Sequence, residues 1–578
     1  MRTATQSFLL LMTSSILSAC GGGGTAGGAA TGTTTGTTIA APGAPSGLTG
    51  TAADGSVSLA FQAPASNGGA AITGYTAGCT AGSTTRTTSG SASPLVVTGL
   101  TNGTAYTCSV AATNSAGTGA SASVSVTPNG TVVTDSFHGN IVLGSPTGNS
   151  IKANVYSPDQ SGTAWIGYGT SSGLYDKQTA TCALSADRPL ELAMDGLSAN
   201  TQYHYRLYFQ PAGESKAGPT DEYTFHTART AGSTFSFTIQ GDSHPERTNS
   251  QFDATLYTRT LLTAAADKPD FHITSGDDYS VDTLDPASIT SAQVTGRYTL
   301  QRPYLGLIGR SAPVFLVNGN HEQAARYLLD GTPNNIAVWA QTARNAVYSE
   351  PAPDGFYTGN AEQVPYIGLL RNYYAWTWGD ALFVVIDPYW SSPVAVDNVF
   401  GSTDKRPSMW DVTHGDSQYQ WLKTTLEQSR ARYKFVFAHH VMGTGRGGIE
   451  LARLWEWGGE NTKGDSEFAT MRATWASPIH QLMAANKVTI FFQGHDHVWV
   501  HQQLDGVTYQ TLSEPADPNY SLFNSDAYKS GDKFPNTGYT RVQVSPSGVT
   551  VDYVRTYLPK DEGAGKTNGT TAFSYTIL

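Results

Sequence analysis

The sequence predicts a multidomain chain in which two all-β sandwiches precede an α/β domain built as a four-layer β-sandwich flanked by helices. Three observations predict it. Only 14% of the 578 residues are charged while 62 are glycine, a profile that suits a β-rich exported protein, since an average soluble chain carries about 25% charged residues. From about residue 41 to residue 229, short alternating runs such as Val57-Ser58-Leu59-Ala60-Phe61 are separated by Gly, Asn and Pro turns, the spacing of a sandwich. After residue 230 apolar β runs alternate with helix-like stretches, the mark of layered α/β architecture. At roughly 150 residues per domain the length allows about four units, each able to bury a core. Lys+Arg 34 against Asp+Glu 45 gives a net charge of -11. That balance excludes a broad nucleic-acid surface, because phosphate backbones demand clustered cations, and leaves room for a local anion site.

The chain opens with Met1-Arg2, a brief apolar core from Phe8 to Met12, and Leu17-Ser18-Ala19-Cys20 ahead of a glycine run. This targeting segment is too short and interrupted to span a bilayer. Residues 1–20 resemble a bacterial lipoprotein signal. The resemblance implies cleavage before Cys20, membrane attachment through a lipid on that cysteine, and a place in the bacterial cell envelope, either lipid-anchored at the outer membrane or cell surface or secreted. Residues 21–40 are a Gly/Thr-rich linker with too little apolar surface to offset chain entropy. Cys79 and Cys108 lie in strand-like runs and are expected to form a disulfide in an oxidising compartment. Cys182 is left over, with no basic neighbour to activate it.

The sandwich segments 41–128 and 129–229 share an internal repeat. Gly99-Leu100 with Thr104-Ala105-Tyr106 matches Gly196-Leu197 with Thr201-Gln202-Tyr203, and Tyr106 and Tyr203 fit the corner tyrosine of such folds. On ITGY and TNSAGTGASAS, the first resembles a fibronectin type III module. On HGNIVLGSPTGNSI, IGYGTSSGLY and TQYHYRLYF, the second resembles the N-terminal sandwich of purple acid phosphatases. Neither carries a catalytic constellation, so both read as spacer or adhesion modules. The α/β domain is expected over residues 230–560. Within it, Trp475 to Asn486 reads as a helix with Ser477 as N-cap and Pro478 at its first position, and Tyr419, Leu422 and Leu426 share one face of another. A hairpin around Ser545-Pro546-Ser547-Gly548 is expected to close the sheet, and residues 561–578 read as a tail.

Five apolar strands of this domain each run into residues able to hold a ligand. Phe235 to Ile239 leads to Asp242 and His244, Phe271 to Ile273 to Asp277 and Asp278, Val314 to Val317 to Asn320, His321 and Glu322, Phe435 to Phe437 to His439 and His440, and Val488 to Phe492 to His495 and His497. In an open α/β sheet, ligands bind at the carboxyl ends of the strands, so all five clusters should converge in one crevice. Residues two apart at a strand end face the same side, which pairs Asp242 with His244 and His495 with His497. D-x-H, GD, GNH, H and GHxH in this order resemble the metallophosphoesterase superfamily of calcineurin-like phosphatases, over roughly residues 235–558. The resemblance implies two metal ions, Fe, Zn or Mn. Asp242, His244 and His497 would hold one, Asn320, His439 and His495 the other, and Asp277 would bridge them; His321 would stabilise or protonate the leaving group. Two ions about 3.5 to 4 Å apart can share a hydroxide and clamp an in-line displacement at phosphorus. They bind an anionic substrate without any large basic patch, which reconciles the acidic composition with a small phosphorylated substrate.

Arg446, on a glycine-rich loop after His439, could reach a phosphate oxygen, and His440 could contact substrate or pack behind the ligands. Trp455 and Trp457 read as packing under that loop. Two departures from related families stand out. Tyr279 follows Asp277 by two places, where purple acid phosphatases have their iron-binding tyrosine at three, and His244 takes the vacant ligand position. The residue orienting His321 is left open between Asp278 and Glu322. The sequence thus points to an exported metal-dependent phosphoric ester hydrolase acting on monoesters, with no obligate protein partner. A phosphodiesterase or nucleotidase on the same cage and a surface adhesion protein with a degenerate phosphatase domain are the alternatives. The intact ligand positions speak against the last.

Overall fold

The computed structural model describes residues 39–129, 137–248, 250–396, 409–441 and 445–578; the signal segment with Cys20, almost all of the 21–40 linker, and Met442-Gly443-Thr444 of the glycine-rich loop lie outside the described residues. The chain separates into two compact units, Met1–Asn129 and Gly130–Leu578. In the first, Ser46–Ala53, Ser56–Gln62 and Leu95–Thr98 form one sheet and Thr84–Gly90, Gly74–Ala81, Tyr106–Asn114 and Gly117–Val126 the other. Strict alternation turns Val57, Leu59 and Phe61 inward onto Ala77, Cys79, Cys108 and Val110. Cys79 lies directly opposite Cys108 in the ladder, and the two form a disulfide.

Both sandwiches carry the same corner. The Tyr106 hydroxyl accepts the Thr101 N–H at 3.0 Å and the Tyr203 hydroxyl accepts the Ser198 N–H at 2.9 Å, each five residues upstream. The second sandwich, however, is not a free spacer. It packs on the α/β domain around Arg302, which opens the helix Arg302–Gly309 and is fully buried. Its guanidinium donates to the side chains and carbonyls of Asn140 and Asn154 and to the Val347 carbonyl, at 2.6 to 3.3 Å. A buried charge is tolerated when its donors are met in this way. Burial still lowers the guanidinium pKa to about 10. Tyr357 and Tyr205 extend the seam by donating their hydroxyls to the carbonyls of Pro146 and Arg310 at 2.5 and 2.6 Å.

The α/β domain holds two mixed sheets, as the expected four-layer arrangement requires. The first runs Val314–Leu316, His272–Thr274, Phe235–Gln240, Gly538–Ser545, Gly548–Arg555, Thr570–Ile577, and the core of the second runs Tyr374–Trp378, Ala381–Val385, Tyr433–Phe437, Ile490–Gln493, Val507–Thr511. Three of the five motif strands therefore belong to one sheet and two to the other. The sheets face each other through Phe237, Phe271, Phe315, Trp376, Phe383, Phe435 and Phe492. Side chains alternate along each strand, so Phe383 and Val385 enter this inner core while Leu382 and Val384 meet Tyr419, Leu422 and Leu426 of the helix Asp416–Gln428 outside it. Strands covered on both faces read as unbroken apolar runs, as these do.

Three expectations are corrected here. Thr570–Ile577, inside the stretch set aside as a tail, pairs with Gly548–Arg555, so the hairpin is interior and the sheet continues past residue 560. Phe573, Tyr575 and Ile577 alternate with Thr and Ser along it, a half-buried pattern that the flanking glycines obscure. The helix expected over Trp475–Asn486 is only Ile479–Ala485, capped by Pro478. Trp475 stacks on Tyr419 with centroids 3.9 Å apart, and the Ser477 backbone is bonded to the Tyr419 hydroxyl, which holds that stretch out of the helix. Among the described residues no helix is long and apolar enough to cross a membrane.

Candidate metal centre

The five motif strands end along one rim of the paired sheets, but the ligand-bearing residues follow the strands in tight loops and not in the pleat. His244, Asp277, His495 and His497 all have left-handed backbones, with φ of 43°, 58°, 68° and 54°. Such conformations are costly outside glycine and cluster at functional sites. They, not strand alternation, bring the residues of D-x-H and GHxH to one place. Glycine is required beside them: a Cβ on Gly494 would strike Asp242 and Ser275, and Gly276, at φ 100°, would meet His439 and the Gly319 backbone.

Asp242 and Asp277 are placed alike. Each uses Oδ1 to accept a backbone N–H, from His495 at 2.8 Å and from His321 at 2.9 Å. Each then aims Oδ2 into a cluster of imidazoles. Asp242 Oδ2 has the Nε2 atoms of His497, His439 and His244 at 3.1, 3.9 and 4.0 Å. Asp277 Oδ2 has those of His439 and His321 at 2.9 and 3.6 Å. Asp242, Asp277, His439 and His495 form one group whose ligand atoms lie within 4.8 Å of one another, and Asp242, His244 and His497 form another. His244 Nε2 and both amide atoms of Asn320 are buried and make no hydrogen bond. Leaving such groups unmet costs about 1–3 kcal/mol each. A nitrogen and oxygen donor set converging in this way fits transition-metal ions, and the unmet atoms are where they would be met.

The imidazoles are held from behind. His497 Nδ1 is 2.9 Å from Glu514, His321 Nδ1 2.8 Å from Asp282, His244 Nδ1 3.3 Å from Glu246 and 3.2 Å from Ser280 Oγ, and His439 Nδ1 2.8 Å from the Ser275 carbonyl. Each partner fixes its ring with Nε2 pointing inward. Burial alone would depress all four histidines. In His439 the charges of Asp277 and Asp242 override it and push the pKa to about 10, and in His497 those of Glu514 and Asp242 do the same. In His244 burial wins and lowers it to about 4.

Residues 43–128 match the fibronectin type III domain, and residues 235–499 match the calcineurin-like phosphoesterase family. The match supports a phosphoric ester hydrolase, and the described residues include His/Asp clusters that could hold metal ions. Among solved structures, PhoD is similar at 15% identity with a TM-score of 0.53, over 76% of this chain and 89% of that one. The purple acid phosphatase PPD1 from yellow lupin (Lupinus luteus) seeds is similar at 14% identity with a TM-score of 0.50, over 90% of this chain and 92% of that one. At these identities the similarity is one of fold. No curated protein matches the sequence.

Over the matched segment, the structure brings Asp242, His244, Asp277, His439, His495 and His497 into one buried cluster, with the partly exposed His321 at its edge and Asn320 beside it. His440 joins the edge, its Nδ1 2.6 Å from the Tyr389 hydroxyl and its ring centroid 3.4 Å from that of His495. Arg446 is committed elsewhere: it donates to the His495 carbonyl at 3.0 Å and to Asp496 at 3.1 Å, bracing the GHxH loop. Neither residue proposed to orient His321 does so. Asp278 is tied to Ser243 and Gln240, Glu322 accepts the backbone N–H groups of Asp278, Tyr279 and Gly319, and Asp282 is the partner of His321. Tyr279 faces away, stacked on Tyr298 at 4.4 Å in a core with Tyr348. Trp455 and Trp457 are core residues.

Sequence reasoning missed Glu246, Arg247, Asp282, Tyr389 and Glu514. Only Tyr389 had a usable signal, an apolar strand Ala381–Val385 that runs into Asp387 as the motif strands run into theirs.

Proposed function

We propose that the protein is an exported phosphatase that hydrolyses phosphate monoesters at a two-metal site. The observation that carries it is the paired placement of Asp242 and Asp277, each with one oxygen anchored to backbone and the other among inward-facing imidazoles. Asp242, His244 and His497 would hold one ion, Asn320, His439 and His495 the other, with Asp277 toward both, and the donor set suits Fe, Zn or Mn. When bound, such ions supply Lewis acidity toward phosphate oxygens.

The chain's own residues supply the proton. Burial alone would depress His321, but the charges of Asp277 and Asp282 push it up to about 9, so it holds a proton at neutral pH. With Nδ1 turned to Asp282, Nε2 is the atom that faces the cluster and can deliver that proton to a departing alkoxide. On the other side of the centre the half-exposed ring of Phe523 lies 5.7 Å from His497 and offers an organic group a surface to pack on.

Export is supported by the lipoprotein-like segment ending at Cys20 and by the Cys79–Cys108 disulfide, which belongs to an oxidising compartment. A Cys20→Ala variant should leave the membrane fraction of cells. If the parent is cytosolic, the export reading fails.

For the chemistry, a panel of p-nitrophenyl phosphate, bis-p-nitrophenyl phosphate and nucleotides is assayed after loading with Mn, Zn or Fe. The monoester is expected to be the best substrate. Asp277→Asn should reduce hydrolysis below about a tenth of the parent, since a neutral amide cannot serve two cations. Greater residual activity overturns the site assignment.

A further inference from the structure

Among the described residues, Arg247 is a cationic group at this centre to which no role has yet fallen. It leaves the same loop as Asp242 and His244, and its Nη2 stands 3.3 Å from His321 Nε2. Its other edges are fixed: Nη1 donates to Gln251 Oε1 at 2.6 Å, and Nε lies 3.4 Å from Glu246. Gln251 in turn reaches to 3.5 Å from His497 Nδ1, so the guanidinium is braced against residues of the cluster and not left to solvent. About a quarter of the side chain, 26%, is exposed, which opens it to a ligand arriving from outside.

A guanidinium is donor-only and stays charged at any working pH. Placed beside a centre built for cations, it is repelled by whatever ions that centre holds, and Glu246 at its far edge offsets only part of this. An anion lying between the guanidinium and the cluster would relieve the repulsion and accept the Nη2 donor. The Nη2 edge is the one that faces His321, the residue positioned at the leaving group.

We propose that Arg247 binds a terminal oxygen of the substrate phosphate and that this contact favours monoesters over diesters. The inference rests on the phosphoesterase reading of the site. A monoester dianion presents three terminal oxygens and a diester two. The additional negative oxygen gives a donor-only cation something to recognise that a diester lacks. Arg446, which the sequence suggested for this task, turns its Nη1 to Asp496 and the His495 carbonyl.

The test uses the full-length, metal-loaded protein with Arg247→Ala and Arg247→Lys. Metal content and thermal unfolding are measured first, and both should match the parent. Binding of inorganic phosphate by calorimetry should weaken about 10- to 100-fold in the alanine variant, the size of one charge-assisted hydrogen bond, with partial recovery in the lysine variant. kcat/KM for p-nitrophenyl phosphate should fall by a similar factor, while that for bis-p-nitrophenyl phosphate changes by less than about threefold. Phosphate affinity within about threefold of the parent, or equal losses on the two esters, overturns the proposal. If the alanine variant does not fold, Arg247→Gln, which keeps a donor toward Gln251, is read in the same assays. If the parent hydrolyses neither ester, the phosphatase reading fails on its own, and phosphate binding still decides the place of Arg247.

Discussion

Around Asp242 the imidazoles of His244 and His497 turn Nδ1 toward carboxylates, Glu246 at 3.3 Å and Glu514 at 2.9 Å, whereas around Asp277 His439 turns Nδ1 to the peptide carbonyl of Ser275 at 2.8 Å. Both halves present Nε2 inward, and both anchor an aspartate by a backbone N–H. What differs is the charge standing behind the ligands. Either partner fixes the ring and raises its basicity, but only a carboxylate adds negative charge near the ion. The Asp242 half should therefore hold its metal more tightly and better tolerate a higher ionic charge. The proposed sites already differ by a carboxylate, Asp242, against an amide, Asn320, and partners that would touch no metal add to that inequality.

The strongest way to break this comparison is Glu514→Gln. It removes the charge behind His497 and should weaken one of the two metal equivalents by about 10- to 100-fold, leaving the other in place. Metal per chain after dialysis against graded chelator would reveal it; parallel loss of both equivalents contradicts the difference between the halves. Asp282→Asn acts on neither metal. It should lower turnover of alkyl phosphates by about tenfold or more, with a smaller loss on p-nitrophenyl phosphate, whose leaving group needs no proton. Altered metal content in that variant would place Asp282 in the wrong role.

The smallest effect sharpens what the halves share. In the metal-free protein His439 and His497 both titrate near 10, held up by their carboxylates against burial. Metal binding at pH 7 should therefore release about two protons, and apparent affinity should rise with pH toward 10. Calorimetry in buffers of different ionisation enthalpy measures this, and Glu514→Gln should reduce the release. The sign for stability of the metal-free fold is opposite. The folded values lie above an unfolded value of about 6.5, so the stabilisation is complete below that pH and is lost as pH rises toward 10. A metal-free protein that grows more stable from pH 7 to pH 10 would contradict these pairings.

The two sandwiches show how far a repeat can be trusted. The Tyr106 and Tyr203 corners were legible because a hydroxyl that must reach back to a backbone N–H at a fixed offset leaves a fixed spacing. That the second sandwich is welded to the phosphoesterase domain was not legible. The weld is Arg302, some 150 residues beyond its partners Asn140 and Asn154 at separations of 162 and 148, and nothing local to either segment records the contact.

The same division runs through the active site. The sequence by itself pointed to the ligand set, since the motif residues follow apolar strands and Gly276 and Gly494 stand beside the crowded left-handed turns at Asp277 and His495, constraints that act within a few residues. Only the tertiary structure decided which sheet each strand joins, that Asp282 and not Asp278 or Glu322 backs His321, that Glu514 backs His497, and that Arg247 stands beside His321 while Arg446 braces His495 and Asp496. A carboxylate or a guanidinium in a loop has no local geometry to advertise. Its role follows from which distant side chain the packed sheets carry to within 3 Å or so of it, and that distance is set by the fold as a whole.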